Sequence, residues 1–290
     1  MDRKAIHPQG PTCSRIIAGA WRWHTLSPAS AENIVLTALD QGITTFDHAD
    51  IYGDYTSETI FGHVLRKNPA LRNKMELVTK CGIKLVSSRR PATHVKHYDT
   101  SEAHIVGSVE NSLKALGTDH LDVLLIHRPD PLLDPHEVAG AFAALKQQGK
   151  VLHFGVSNFT PAQFNLLQSY LPMPLITNQI ELSLAKVAPL FNGDLDNLMA
   201  HRASPMAWSP LGGGNLVDEV GRWENICAAY NASFSQLALA WLLRHPAGIF
   251  PVIGTTRPER IEACALATGI QLQRQDWFIM LAQVTGTEVP

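Results

Sequence analysis

Four side chains in this sequence have the types needed to move a proton together. Asp47 and Tyr52 stand five positions apart in FDHADIYGDYTSE (46–58), with His48, one of thirteen histidines, between them. Lys80 follows in MELVTKCG (75–82), and His127 ends LDVLLIH (121–127). A tyrosine with its ordinary pKa near 10 is a poor acid at neutral pH. A buried ammonium beside it favours the phenolate and lowers that pKa, which makes the phenol a usable proton donor and acceptor. Asp47 would balance the ammonium, and His127 would hydrogen-bond a substrate oxygen and fix its orientation. Singly, each has an ordinary explanation: a lysine ending a strand is usually solvated, and an aspartate there usually caps a turn. Their joint placement at the ends of consecutive strands is what points to a site.

Those strands are legible as short apolar runs at 15–21, 43–49, 75–82, 121–127, 153–158, 175–182, 204–209 and 250–254. None alternates strictly, as expected of parallel strands covered on both faces. Helix starts lie between them. Asp134-Pro135-His136-Glu137 reads as an N-cap, a proline at the first helical position and a capping-box acid. Thr160-Pro161-Ala162-Gln163 repeats the pattern, and Ser27-Pro28 reads as a third start. Eight strands alternating with helices in 290 residues predict an α/β fold, a (β/α)8 TIM barrel forming a single domain over 1–290. An open dinucleotide-binding sheet would carry G-x-G-x-x-G after its first strand. The segment there is GAWRWHTLSP. The two longest breaks, 83–100 and 210–232, both follow a strand's C-terminal end, the rim where such barrels build their sites.

Composition narrows the function classes. A formal net charge of −2 gives no reason to expect nucleic acid or an anionic membrane as partner. Cys13, Cys81, Cys227 and Cys264 are widely spaced, which reads as reduced thiols in a cytoplasmic protein. The polar, proline-containing start does not match a secretion signal, and runs such as LALAWLL (237–243) are short of the ~20 residues that span a bilayer. His94 and His97 have no third ligand motif beside them, so no metal is expected.

The loops after strands seven and eight are suited to an anion. The first runs through Trp208, Ser209, Pro210, Leu211, Gly212, Gly213 and Gly214, where bare backbone permits close approach. The second runs through Gly254, Thr255, Thr256, Arg257, Pro258, Glu259 and Arg260, a helix start with hydroxyls and two guanidiniums.

Taken together, FDHADIYG with Glu58, TKCG, LLIHRPDP, GVSNFTPAQ, TNQIELS, AWSPLGGG and IGTTRPER resemble the aldo-keto reductase superfamily, and its bacterial members in particular, over nearly the whole chain. The resemblance implies a (β/α)8 barrel and NAD(P)H-dependent reduction of aldehydes and ketones. It makes Tyr52 the general acid, Lys80 and Asp47 the residues that tune it, and His127 the one that orients the carbonyl. It also implies that Ser157, Asn158 and Gln179 hold the nicotinamide carboxamide. Trp208 would stack on that ring, and Ser209 to Gly213 would bind the pyrophosphate. Gly254, Thr255 and Thr256 belong to the same cofactor side. Arg257 and Arg260 match the region contacting the adenosine 2′-phosphate, which favours NADPH because arginine suits phosphate through charge-assisted bonds. Ala263 and Cys264 stand where many members have an acidic or amide pair at the adenine. Trp21 is expected on the cofactor side, and Trp23 and Arg128 on the substrate side. His48 replaces the more usual Ser or Thr and is expected to face the barrel exterior. A monomer acting on a small carbonyl compound is the implied partner state. Two alternatives stay open: an NADP-binding regulatory or sensor subunit with slow turnover, and a metal-dependent barrel hydrolase using Asp47, His127 and nearby histidines.

Overall fold

A computed structural model describes residues 1–217 and 223–288. Eight parallel strands close into a barrel. They are β1 (Ile17–Gly19), β2 (Thr45–Asp47), β3 (Glu76–Cys81), β4 (Leu121–Ile126), β5 (Val151–Ser157), β6 (Leu175–Glu181), β7 (Met206–Trp208) and β8 (Phe250–Ile253). Seven of them fall inside one of the eight predicted runs, and β5 begins two residues before its own. Strand order around the barrel follows the chain, and β8 pairs with β1 to close it.

Strand residues divide by parity between two cores. Ile17, Val78, Val123, Leu125, Ile176 and Phe250 fill the lumen. Ile6 and Cys13 join that cluster from an N-terminal antiparallel hairpin, Arg3–Ala5 with Thr12–Ser14. The hairpin was not among the sequence candidates; its two strands have only three residues each, too few to show a period. Phe46, Phe154 and Val156 point outwards instead, into a layer shared with Phe61, Phe142 and Phe164 of the helices.

Many of the helices that fill the gaps begin at a side-chain cap. They include α1 (Pro28–Asp40), α2 (Ser57–Lys67), α3 (Glu102–Leu116), α4 (Pro135–Gln147), α5 (Pro161–Ser169), α6 (Asp194–Ala200), α7 (Phe234–Leu243) and α8 (Pro258–Ala265). Ser27 Oγ accepts from the Ser30 amide, and Thr160 with Gln163 forms the reciprocal capping box. At α4 the expectation is half right. Asp134 caps, accepting from the His136 amide, but Glu137 reaches across to accept from the Glu102 backbone N–H instead of returning to its own cap. The first-turn amides of α3 offer that carboxylate a positive site. A second capping box, Ser233 with Gln236, starts α7. Residues 218–222 of the long break after β7 lie outside the described residues. No single described helix is long and apolar enough to cross a membrane.

Candidate active site

Register brings the four candidate side chains together. Asp47 pairs with Val78, so Lys80, two residues further along β3, shares its lumen face. Lys80 pairs with Leu125, which puts His127, just past β4, on that face too. Tyr52 arrives from the side, on a short turn (Tyr52–Tyr55) that leaves β2. Gly53 makes the turn possible: its φ is +58°, and a Cβ there would lie 2.3 Å from the Cβ of His24 and 2.6 Å from Ser57 Oγ. The 83–100 segment backs the turn, with the Leu85 amide donating to Tyr55 Oη at 2.9 Å and Arg90 lying 5.0 Å over the Tyr55 ring.

Lys80 is completely buried. Its Nζ donates to Asp47 Oδ2 at 2.7 Å, to the carbonyl oxygen of His48 at 2.8 Å and to Tyr52 Oη at 3.0 Å. Three protons meet three acceptors. Burial works against its charge, yet Asp47 and Tyr52 more than offset this and hold the Lys80 pKa above the ordinary lysine value. Tyr52 corrects an expectation. Its phenol is held above the usual tyrosine range, not below it, because burial outweighs the pull of Lys80 and Asp47 adds to the burial effect.

His127 meets Tyr52 edge to face, with ring centroids 5.8 Å apart. Burial, reinforced by Lys80, Arg128 and Lys96, pushes its pKa well below that of a free histidine. Its Nδ1 is buried without a hydrogen-bond partner among the described residues. His48 is on the opposite side of β2, as expected. It is wedged between Trp23 and Phe61, with its pKa pushed down to about 3, first by burial and then by Lys80.

The tetrad opens into a cleft of about 720 Å³ at the strand C-termini, a size typical of small-molecule sites. Ser157, Asn158 and Gln179 form one polar wall. Ser157 Oγ donates to the Gln179 carbonyl at 2.9 Å, Asn158 Nδ2 donates to Ser157 Oγ at 2.7 Å, and Trp208 Nε1 donates to Asn158 Oδ1 at 2.9 Å. Arg128 lies 5.5 Å over the Trp208 ring. Ser209, Pro210, Leu211, Gly213, Gly254, Thr255 and Arg260 border the cleft as expected. Gly213 and Gly214 adopt φ of +69° and +102°, and a Cβ at either would meet nothing within 4 Å. The residues therefore fit a dinucleotide: an amide-rich wall at the tetrad, open backbone after β7 and a guanidinium at the far end.

Four residues expected at the site are not among those that line the cleft. Trp23 is in the helix–sheet core, 1% exposed, its ring 5.5 Å from Phe61. It belongs to a 3₁₀ turn (Trp23–Thr25) that folds back after Trp21, so only Trp21 reaches the cleft. Gly212 turns towards Leu216 and Ala185. Thr256 does not line the cleft. Arg257 caps α8 from outside, its guanidinium held 2.5 Å from the Glu259 carboxylate.

Conversely, Arg22 went unnoticed between the two tryptophans. It stacks on Trp21 at 4.9 Å and donates to the carbonyls of Gly254 at 3.2 Å and Gly213 at 3.4 Å, tying three strand-end loops together. Gln236 was missed as well, though S-x-x-Q ahead of an apolar run was a usable signal. Besides capping α7 it lines the cleft and donates to the Ala263 carbonyl at 3.0 Å, beside Cys264. No group of three or more His, Cys, Asp or Glu able to hold a metal occurs among the described residues.

The Aldo/keto reductase family model matches residues 15–281. The chain is 47% identical over 288 residues to the uncharacterized oxidoreductase YcsN of Bacillus subtilis, covering 96% of each. It is 49% identical over 284 residues to the 6-dehydroglucose reductase of Agrobacterium fabrum, covering 95% of this chain and 96% of that one. Oxidoreductase YdhF of Escherichia coli is 46% identical over the full length of both. Among solved structures, a thermostable aldo-keto reductase in complex with the inhibitor epalrestat superposes with a TM-score of 0.84 at 24% identity, over 97% of this chain and 99% of that one. It shares the barrel.

Proposed function

This chain belongs to the aldo/keto reductase family and is an oxidoreductase of that kind, and we propose that it reduces aldehydes and ketones with NADPH, using Tyr52 as general acid. The observation that carries this reading is the triple contact of Lys80 Nζ with Asp47, the His48 carbonyl and Tyr52 inside the barrel mouth.

The wall of Ser157, Asn158 and Gln179 would take the nicotinamide carboxamide, with Trp208 beside the ring. Open backbone at Gly213 would face the pyrophosphate, and Arg260 the 2′-phosphate. When bound, the cofactor supplies a hydride to the carbonyl carbon. The protein's own part is the proton. A phenol held above its usual pKa keeps its proton through neutral pH, which is what an acid awaiting an alkoxide requires. As the proton leaves, phenolate charge develops 3.0 Å from the Lys80 ammonium, which needs no rearrangement to stabilise it. His127, neutral and against the Tyr52 ring, can hydrogen-bond the substrate oxygen without adding a competing cation.

The relatives named 6-dehydroglucose reductase support including hydroxylated sugar aldehydes among the substrates. The chain is read as one domain, acting as a cytoplasmic monomer on a small molecule. A panel of aldehydes and ketones, 6-dehydroglucose among them, mixed with NADPH and followed at the nicotinamide absorbance band tests the proposal. Substrate-dependent oxidation that vanishes in Tyr52→Phe is expected. NADPH that binds but stays reduced across the panel would instead favour a cofactor-sensing role.

A further inference from the structure

We propose that Gln179 is a positioning residue for the Asp47–Lys80–Tyr52 proton path, linking it directly to the cofactor wall. For its catalytic meaning the proposal rests on the function proposed above. β6 and β2 are four strands apart in a closed ring of eight, so Gln179 and Asp47 face each other across the lumen. Gln179 Nε2 donates to Asp47 Oδ1 at 2.8 Å, a bond between residues 132 positions apart. The amide's orientation follows from its partner, because an ionised carboxylate only accepts and must therefore face the NH₂ group.

The consequence lies in how Asp47 divides its charge. Oδ2 accepts from Lys80, and Gln179 is the only donor that meets Oδ1 among the described residues. Both residues are about 2% exposed, so the low-dielectric surroundings give each bond weight. Lys80 and Asp47 act on Tyr52 with opposite sign. A donor on Oδ1 disperses part of the carboxylate's charge and leaves more of the Lys80 charge to act on the phenol. Without that donor, Asp47 leans harder on Lys80, and Tyr52 holds its proton more tightly. Other charged or titratable groups around this path include His127 and Arg128 beyond β4, Asp50, whose backbone amide donates to the Lys80 carbonyl and whose carboxyl interacts with Glu58, and His48 and Glu58, which interact with Lys80 from the outer side.

Gln179 is also placed to report on the cleft. Its backbone carbonyl accepts from the Asn158 amide at 2.9 Å and from Ser157 Oγ at 2.9 Å, so the wall assigned to the carboxamide and the donor to Asp47 are one rigid unit.

The test is an alkaline absorbance titration of the cofactor-free protein, with the Tyr52 phenolate isolated by subtracting the same titration of Tyr52→Phe. The Tyr52 midpoint should rise by about half a pH unit or more in Gln179→Leu, and further in Gln179→Glu, which adds a negative charge facing Asp47. The alkaline limb of alcohol oxidation should move the same way, with kcat falling more than the KM for NADP⁺ changes. A Tyr52 midpoint equal in all three proteins, with only NADP⁺ affinity altered, would overturn the proposal and leave Gln179 a cofactor contact alone. A graded midpoint in a wild type that reduces no carbonyl would instead uphold the positioning role and sink the proposed activity.

Discussion

Lys80 Nζ and Tyr52 Oη lie 3.0 Å apart although 28 positions separate them in the chain. The lysine arrives along a strand and the tyrosine on a short turn after another strand, so the contact depends on two elements meeting at the rim. Replacing Tyr52 by phenylalanine removes the proton together with one of the three acceptors of the Lys80 ammonium. Turnover should fall by about 10²–10⁴-fold while NADPH affinity, read by quenching of tryptophan fluorescence, stays near wild type. Retained turnover would show that the proton comes from elsewhere.

Lys80 and Asp47 form a buried pair, 0% and 3% exposed at their side chains. Removing one partner strands the other charge away from water. Lys80→Met should destabilise the fold by about 3–5 kcal/mol, read from the denaturant midpoint, and Asp47→Asn added to it should recover part of that loss. If the double variant is the less stable of the two, the pair is not electrostatically coupled.

Acid should weaken the fold through its neutral buried histidines. His48 is pushed down to about 3 and His127 well below its ordinary value, in both cases first by burial. An unfolded chain takes up each proton near pH 6.5, whereas the folded state does so only far lower. As pH falls the unfolded state gains protons first, so this stability is complete above about pH 6.5 and declines towards about 3. His48→Leu removes one such site. Between pH 7 and 5 its unfolding free energy should drop by about 2 kcal/mol less than that of wild type. Parallel declines would place the acid sensitivity elsewhere.

The two arginines after β8 should behave differently. Arg260 borders the cleft, whereas Arg257 is engaged by Glu259 outside it. Arg260→Ala should weaken NADPH by about 10–100-fold and leave NADH nearly unchanged, the loss expected of a hydrogen bond to a charged group. Arg257→Ala should change neither. Titrations of both cofactors against both variants check this, and equal losses would contradict the assignment.

Much of this was legible in the chain. The Val-, Ile- and Leu-rich runs marked all eight strands, because parallel strands covered on both faces need apolar residues at nearly every position. Proline after Ser, Asp or Thr marked three helix starts, since the caps act within one turn. Asp47, Lys80 and His127 could be placed at the C-terminal ends of consecutive strands because the apolar runs end there, and strand parity sent His48 outwards. The family followed from motifs of this local kind.

What the chain alone left open depended on distances across the fold. Trp21 and Trp23 look equivalent in sequence, yet a 3₁₀ turn leaves one at the cleft and packs the other against Phe61. Arg257 and Arg260 look alike in sequence, yet Glu259 engages the first outside the cleft while the second borders it. The direction of the Tyr52 shift was misjudged because it is a balance among burial, Lys80 and Asp47, and only coordinates set their relative weights. The bond from Gln179 to Asp47 joins opposite strands of a closed ring. Local periodicity determines which face a side chain is on; closure of the barrel decides which side chain it meets.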